Sequence, residues 1–356
     1  MEGTPIDIVV FAPLAPILGV ILFWFIKLLF IESQKYFLDK IRPKHTALCR
    51  FTNFLGILFQ TICHALGYTV TKSGISDVYI SVNYGRVAPK KEKKGIFEWI
   101  ANVFLFIGPF FIPAFLLLLC LLIIIPEIFH ITIPLDIINI KYTFGAQLIS
   151  FGTNLFIFSE KFLTFLLNID LLHPGHFGFF LLLIFLGMGI RPSYIGEKKI
   201  DRVDMIYDLR NVWNLITHKP LYILILFLIS YNFFYVSLIF NQNWYTVIFS
   251  IFGFLTIISI FAIIIAHLII SLIRAADKIE GKKKYIPYLT PIISYILMRT
   301  LFFYFPNKYT NTISLLMMML STFILTLVTL RKGDKFKTGL NIKWFKKKDE
   351  DKKDGE

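Results

Sequence analysis

The sequence predicts an all-α polytopic membrane protein, with about eight transmembrane helices and a small cytoplasmic-side β-hairpin after the second span. Three observations predict it. Hydrophobic residues make up 56% of the 356 residues and charged residues 17%, with a mean hydropathy of +0.69. A soluble globule carries a charged shell of roughly a quarter of its residues, so lipid must cover most of this surface. The apolar residues are also gathered into runs of the length, about 20 residues, that a helix needs to cross a bilayer core about 30 Å thick. Finally, one stretch between two such runs changes to the period-two alternation of a strand. The same figures exclude a disordered chain or a nucleic-acid-binding domain as the main body.

Taken in order, the strong spans are 8–31, 97–125, 221–241, 245–273, 286–305 and 312–331, with shorter or more polar ones at 51–70 and 176–191. The Pro-interrupted stretches 127–148 and 149–172 carry Asp136, Lys141, Glu160, Lys161 and Asp170. Charges there are costly against lipid, which places these stretches at an interface or against other helices. Cys49, Cys63 and Cys120 have no CxxC spacing, which leaves neither a disulfide framework nor a zinc ribbon.

The net charge of +14 reports topology, because basic residues collect in cytoplasmic loops. The segments 191–219, 274–285 and 331–356 are rich in Lys and Arg, whereas the turns NQNW and PNKYTN between their hairpins hold only Lys308. The C-terminus is therefore expected in the cytoplasm of a multi-pass cell-membrane protein, with 71–96 also inside. One segment disagrees. Residues 32–50 hold Lys35, Lys40, Arg42, Lys44 and Arg50 against Glu32 and Asp39, yet counting spans puts them outside. Either the charge rule fails there, or 51–70 is re-entrant and both of its flanks are cytoplasmic. From Arg331 the tail mixes ten Lys/Arg with six Asp/Glu and reads as solvated.

The most informative stretch is residues 59–91, FQTICHALGYTVTKSGISDVYISVNYGRVAPKK. An apolar helix carries His64 and runs to Gly67 and Tyr68. Beyond Gly74, Val78, Ile80 and Val82 alternate with Tyr79 and Ser81, and Asn83-Tyr84-Gly85 turns the chain back through Arg86-Val87-Ala88. Open sheet edges are not tolerated in lipid, so this hairpin belongs at the cytoplasmic face or in a protein-lined cavity.

This order resembles the site-2 protease family of intramembrane zinc metallopeptidases, in its divergent prokaryotic branch. The residues that carry the resemblance are His64–Tyr68 at the HExxH position, the strand Asp77–Val82, Gly85-Arg86-Val87, and Gly108-Pro109 in the following helix. A later stretch, LGMGIRPSYIGEKKID over 186–201, is similar to the branch's second motif, with Glu197 and Asp201 near the position of its acidic ligand. The resemblance covers roughly 50–210. It implies a membrane core at 51–215, preceded by an anchor helix and basic loop (1–50) and followed by a four-helix membrane region (216–331) and a charged cytoplasmic tail (332–356).

The departures carry the functional expectation. Zinc peptidase chemistry needs two His one helical turn apart and a Glu between them as general base. Here the pentapeptide is HALGY: His64 keeps one ligand position, Ala65 replaces the base and Tyr68 the second ligand. The expectation is a non-enzymatic scaffold that keeps the family's fold, has no catalytic residues, and binds transmembrane segments or membrane-protein partners. No cofactor is expected, His64 being the one zinc ligand retained, and the partners are the lipid bilayer and another membrane protein, not nucleic acid.

Two alternatives stay open. One is a transporter or channel, suggested by His267, Arg299, Glu160 and Asp170 at or near membrane depth. The other is a zinc metallopeptidase with an atypical ligand set, such as His64 with Glu197 or Asp204. His173-Pro174-Gly175-His176 reads as an interfacial turn, Arg299 as a side chain that snorkels to the headgroups, and 197–211 as an amphipathic helix.

Overall fold

The computed structural model describes residues 4–124, 142–195 and 201–350. They form two compact units, one of Met1–Thr164 with Leu171–His267 and the other of Phe165–Asp170 with Leu268–Glu356.

In the first unit α1 runs Leu14–Ile41, ten residues past the expected end of the first span. The extension has no Gly or Pro. It buries Ile31, Gln34, Lys35, Leu38 and Ile41 at helical spacing, and the helix ends just before Pro43, which has no N–H to continue the ladder. After a short turn α2 covers Thr46–Val70, so most of the expected basic loop at 32–50 is helix. The hairpin follows as β1 (Ile75–Ile80) and β2 (Gly85–Pro89), antiparallel with Val78 opposite Val87 and Ile80 opposite Gly85. It rests on α2: a Cβ at Gly85 would meet the side chains of Thr61 and Ile57.

The expected span 97–125 is two helices, α3 (Ile96–Phe106) and α4 (Gly108–Ile124), bent by 67°. Gly108-Pro109 accounts for the break, since Pro cannot donate the helical hydrogen bond and its ring crowds the preceding turn. Residues 125–141, with Asp136 and Lys141, lie outside the described residues. α5 (Phe144–Leu167) packs on the later helix α9 (Trp244–Ala276). Asn154 donates to Ser250 at 3.1 Å, Gln147 accepts from Thr246, and the rings of Phe158 and Phe254 stack at 4.4 Å. α6 (Pro174–Gly189) is capped by His173, whose Nδ1 accepts from the His176 backbone N–H; the HPGH turn is a helix start. A two-residue ladder of β3 (Tyr194–Ile195) and β4 (Asp201–Arg202) leads into α7 (Met205–His218) and α8 (Pro220–Ile239).

In the second unit α10 (Ile286–Tyr304) pairs with α11 (Thr310–Glu350). Arg299 does not reach for headgroups: it donates to Asp170 at 2.8 Å and to Asn311 at 2.5 Å, and the Tyr295 hydroxyl joins Asp170 at 3.3 Å. The backbone of α11 stays helical to Glu350, through most of the charged tail. Once nucleated in the apolar span, a helix adds residues cheaply, and the stretch contains no Pro.

Among the described residues six helices are long and apolar enough to cross a membrane, seven if the bent α3–α4 pair is one span. The remaining expected span, 176–191, is a helix of 16 residues, about 24 Å long and short of the bilayer core. The chain is an all-α polytopic membrane protein with one small hairpin. The described structure supports six or seven crossings by length and composition, short of the eight expected.

Candidate functional site

The positions of the HExxH-like pentapeptide lie on α2. His64 and Tyr68 are one turn apart with ring centroids 4.5 Å apart, both half-buried, and Ala65 lies beside them on the same helix. Gly108 and Pro109 are buried at the α3–α4 break. A Cβ at Gly108 would sit 3.1 Å from that of Cys63, the residue before His64, and one at Gly67 would crowd Ala101 and Phe104. The two small residues let the broken helix seat on the motif helix, so the structure brings His64, Tyr68 and Gly108-Pro109 into one neighbourhood.

The acids after Pro192 are placed otherwise. Glu197 lies outside the described residues. Asp201 sits in β4, opposite Ile195. Asp204 caps α7 by accepting from the Tyr207 N–H at 2.7 Å. His267 packs against Phe37 of α1 with ring centroids 5.1 Å apart, and its Nε2 is buried without a hydrogen-bond partner among the described residues. Among the described residues no group of three or more His, Cys, Asp or Glu is close enough together to hold a metal ion. Of the polar groups that suggested a transporter, Arg299 and Asp170 pair with each other in the second unit, and Glu160 is exposed on α5.

What joins the second motif to α2 is Asn53. Its Oδ1 accepts from the N–H groups of Ser193 and Tyr194 at 3.0 and 2.9 Å, and its Nδ2 donates to the Val82 carbonyl at 2.9 Å. One carboxamide thus ties the Pro192 turn and the end of the hairpin to the same helix. Gly56, one turn further along, admits the backbone of Arg191 and Pro192.

Beneath this junction lies a cluster of buried charges: Lys27 (0% exposed), Lys35 (3%), Arg191 (4%) and Asp208 (2%). Arg191 donates through Nε and Nη2 to Asp208 Oδ1, so the ion pair links the end of α6 to α7. Lys27 donates to the Phe110 carbonyl in the first turn of α4, and Lys35 to that of Val203. Phe110 stands at the centre: Arg191 lies 5.2 Å from its ring centroid, Lys27 5.9 Å, and the Trp24 ring meets it edge-on at 5.8 Å. Arg191 Nη1, Asp208 Oδ2 and Trp24 Nε1 are buried with no hydrogen-bond partner among the described residues, an arrangement an ordered water can complete.

Both acids and Arg42 of the segment 32–50 contact the same region. Glu32 pairs with Arg202 at 2.7 Å and accepts from the Met205 N–H, Asp39 accepts from the Tyr194 hydroxyl, and the Arg42 guanidinium lies 4.1 Å from the Tyr194 ring centroid. Burial, then the Asp39 carboxylate, pushes the Tyr194 phenol up from its ordinary pKa while Arg42 opposes them, so this contact keeps its hydroxyl donor through the physiological range. The stretch from Glu32 to Arg42 therefore lies against Tyr194 and against Arg202, Val203 and Met205. The other flank of α2 meets the far end of the segment 191–219: Trp99, at the start of α3, donates to the Leu215 carbonyl at 3.0 Å and packs on Tyr222 at 5.7 Å.

Fold and site together define an integral membrane protein whose second helix carries a β-hairpin and is tied through Asn53 to the Ser193-Tyr194 turn, while α3 is tied to α7 through Trp99. No family model, no curated protein and no solved structure matches the chain.

Proposed function

We propose that the chain is a non-catalytic, site-2-protease-like membrane scaffold that receives an extended segment of a partner membrane protein on the outer edge of β1. The observation that carries this reading is the open edge itself. Among the described residues the sheet has two strands, β2 rests on α2, and Ile75, Val78 and Tyr79 of β1 are exposed apolar residues. An unpaired, apolar strand edge is a ready template for strand addition. Ala65 supports the absence of peptidase chemistry, because Ala has no group to take the proton from an attacking water.

The test uses the full chain in nanodiscs and two labelled transmembrane peptides, one an uninterrupted Leu-Ala helix and one broken by a central Gly-Pro pair. The broken peptide is expected to bind at least about tenfold tighter, about 1.4 kcal/mol, and Val78→Pro to abolish that preference by deforming the edge. Equal binding of the two peptides, or stoichiometric zinc with peptide cleavage lost in His64→Ala, overturns the proposal.

The sidedness that fits these contacts is re-entry of α2, with both flanks and the C-terminus in the cytoplasm, which puts the basic residues of 32–50, 71–96 and 191–219 on one face. Cysteines at Lys44 and Lys72, in a background with Cys49, Cys63 and Cys120 changed to alanine, are then expected to react with a membrane-impermeant thiol reagent from the same side. Labelling from opposite sides makes α2 a full crossing.

A further inference from the structure

We propose that the cleft between α3 and α7 binds the headgroup of a zwitterionic phospholipid whose phosphate is followed by a primary ammonium. The cleft has a volume of about 320 Å³. Its walls present polar side chains at helical spacing, Glu98 and Asn102 from α3 and Asn211, Asn214 and His218 from α7, with Lys219 at the corner where α8 begins. The Trp99–Leu215 hydrogen bond fixes the two walls against each other.

The charge pattern selects the ligand. A purely anionic group would meet Glu98 as a like charge, and a purely cationic one would meet Lys219. A zwitterion pairs with both, and the carboxamides between them can donate to phosphate oxygens and accept from an ammonium. Asn211 supplies the second observation: its Nδ2 is buried and has no partner among the described residues. A buried donor left unpaired is uncommon in a folded protein, and a phosphate oxygen in the cleft would satisfy it.

The surroundings point to a lipid. Lys219 marks the passage from polar α7 to the apolar run of α8. Exposed apolar residues flank the cleft on each element, Ile96 and Phe97 on α3, Trp213 and Ile216 on α7, and Leu221 on α8. Acyl chains can follow these side chains while the headgroup stays at the polar level, as amphipathic interfacial helices arrange their surfaces.

The test is native mass spectrometry of the full-length protein in detergent, titrated with ethanolamine, choline and glycerol phospholipids of identical acyl chains, and with water-soluble phosphoethanolamine. The ethanolamine lipid is expected to bind about tenfold tighter than the other two, the worth of one charge-assisted hydrogen bond. Glu98→Gln is expected to remove that preference, because Glu98 faces the group in which the three lipids differ, and Asn211→Leu to weaken the binding of all three, whose phosphate is shared. Asn211→Leu deletes an unpaired donor, so it is expected to unfold no lower than the wild type, and its weakened binding then reads the site rather than the fold. Lys219→Gln is expected to weaken all three lipids in the same way. Equal binding of the three lipids by the wild type, a preference for the glycerol lipid, full preference retained in Glu98→Gln, or unchanged binding in Asn211→Leu overturns the proposal. Displacement of the lipid by phosphoethanolamine at equal concentration overturns its assignment to a lipid.

Discussion

Asp208→Ala is expected to cost about 3–5 kcal/mol of stability, the penalty for stranding one member of a buried ion pair. Both side chains are 1% exposed, and Arg191 would keep its charge with its acceptor gone, among two buried lysines. The loss is expected to reach beyond the pair. Arg191 immediately precedes the Pro192–Tyr194 turn held by Asn53, so loosening it also loosens the seat of the hairpin. Thermal unfolding in detergent measures the first effect, and faster amide exchange at Ser193 and Tyr194, whose N–H groups Asn53 holds, the second. The double variant Arg191→Met with Asp208→Leu is expected to recover most of the stability, because an apolar pair of similar volume has no charge to desolvate. An Asp208→Ala protein that unfolds at the wild-type temperature contradicts this role.

Gly56→Val is expected to be almost as damaging, at about 3 kcal/mol, the upper part of the range for overpacking a closed site. A Cβ at Gly56 would lie 2.6 Å from the Arg191 carbonyl carbon and closer still to the Pro192 nitrogen. Both obstacles are backbone, so no rotamer change relieves the overlap. Gly152 on α5 gives the control: a Cβ there meets nothing within 4 Å. Gly152→Ala is therefore expected to be neutral or to stabilise by about 0.5–1 kcal/mol through its helix propensity. A Gly56→Val protein as stable as Gly152→Ala would show that the Pro192 turn does not seat on α2.

The helices and the hairpin were legible because their signals are local. Length and hydropathy place spans, and the alternation of Val78, Tyr79 and Ile80 marks a strand. The Gly108-Pro109 pair was visible too, but only as a family feature. Its consequence, a 67° break, follows from backbone sterics that a hydropathy window averages away. The site was less legible. Lys27 sits inside the first apolar run and Asn53 inside the second, and each was a usable signal, since an ionisable or carboxamide side chain in such a run needs a buried partner. Their partners lie 83 and 140 residues away in sequence, and no local pattern supplies that distance. The charge count of 32–50 was legible as a conflict with a full crossing by α2, whereas the contacts of Glu32, Asp39 and Arg42 with Tyr194, Arg202 and Met205 were not, because they too are long-range.

The central claim is strand addition at β1, and cross-link periodicity tests it most directly. Single cysteines are placed at each position from 75 to 80, and a partner peptide with its central Gly-Pro pair carries cysteines at each of six consecutive positions. Disulfide yields are then read for all pairs in nanodiscs. Strand addition predicts yields that alternate with a period of two along both chains, because successive side chains of a strand point to opposite faces. Yields that repeat every three to four residues along the peptide, the signature of a helix lying against the hairpin, would contradict it, as would a uniform background at all six positions of β1.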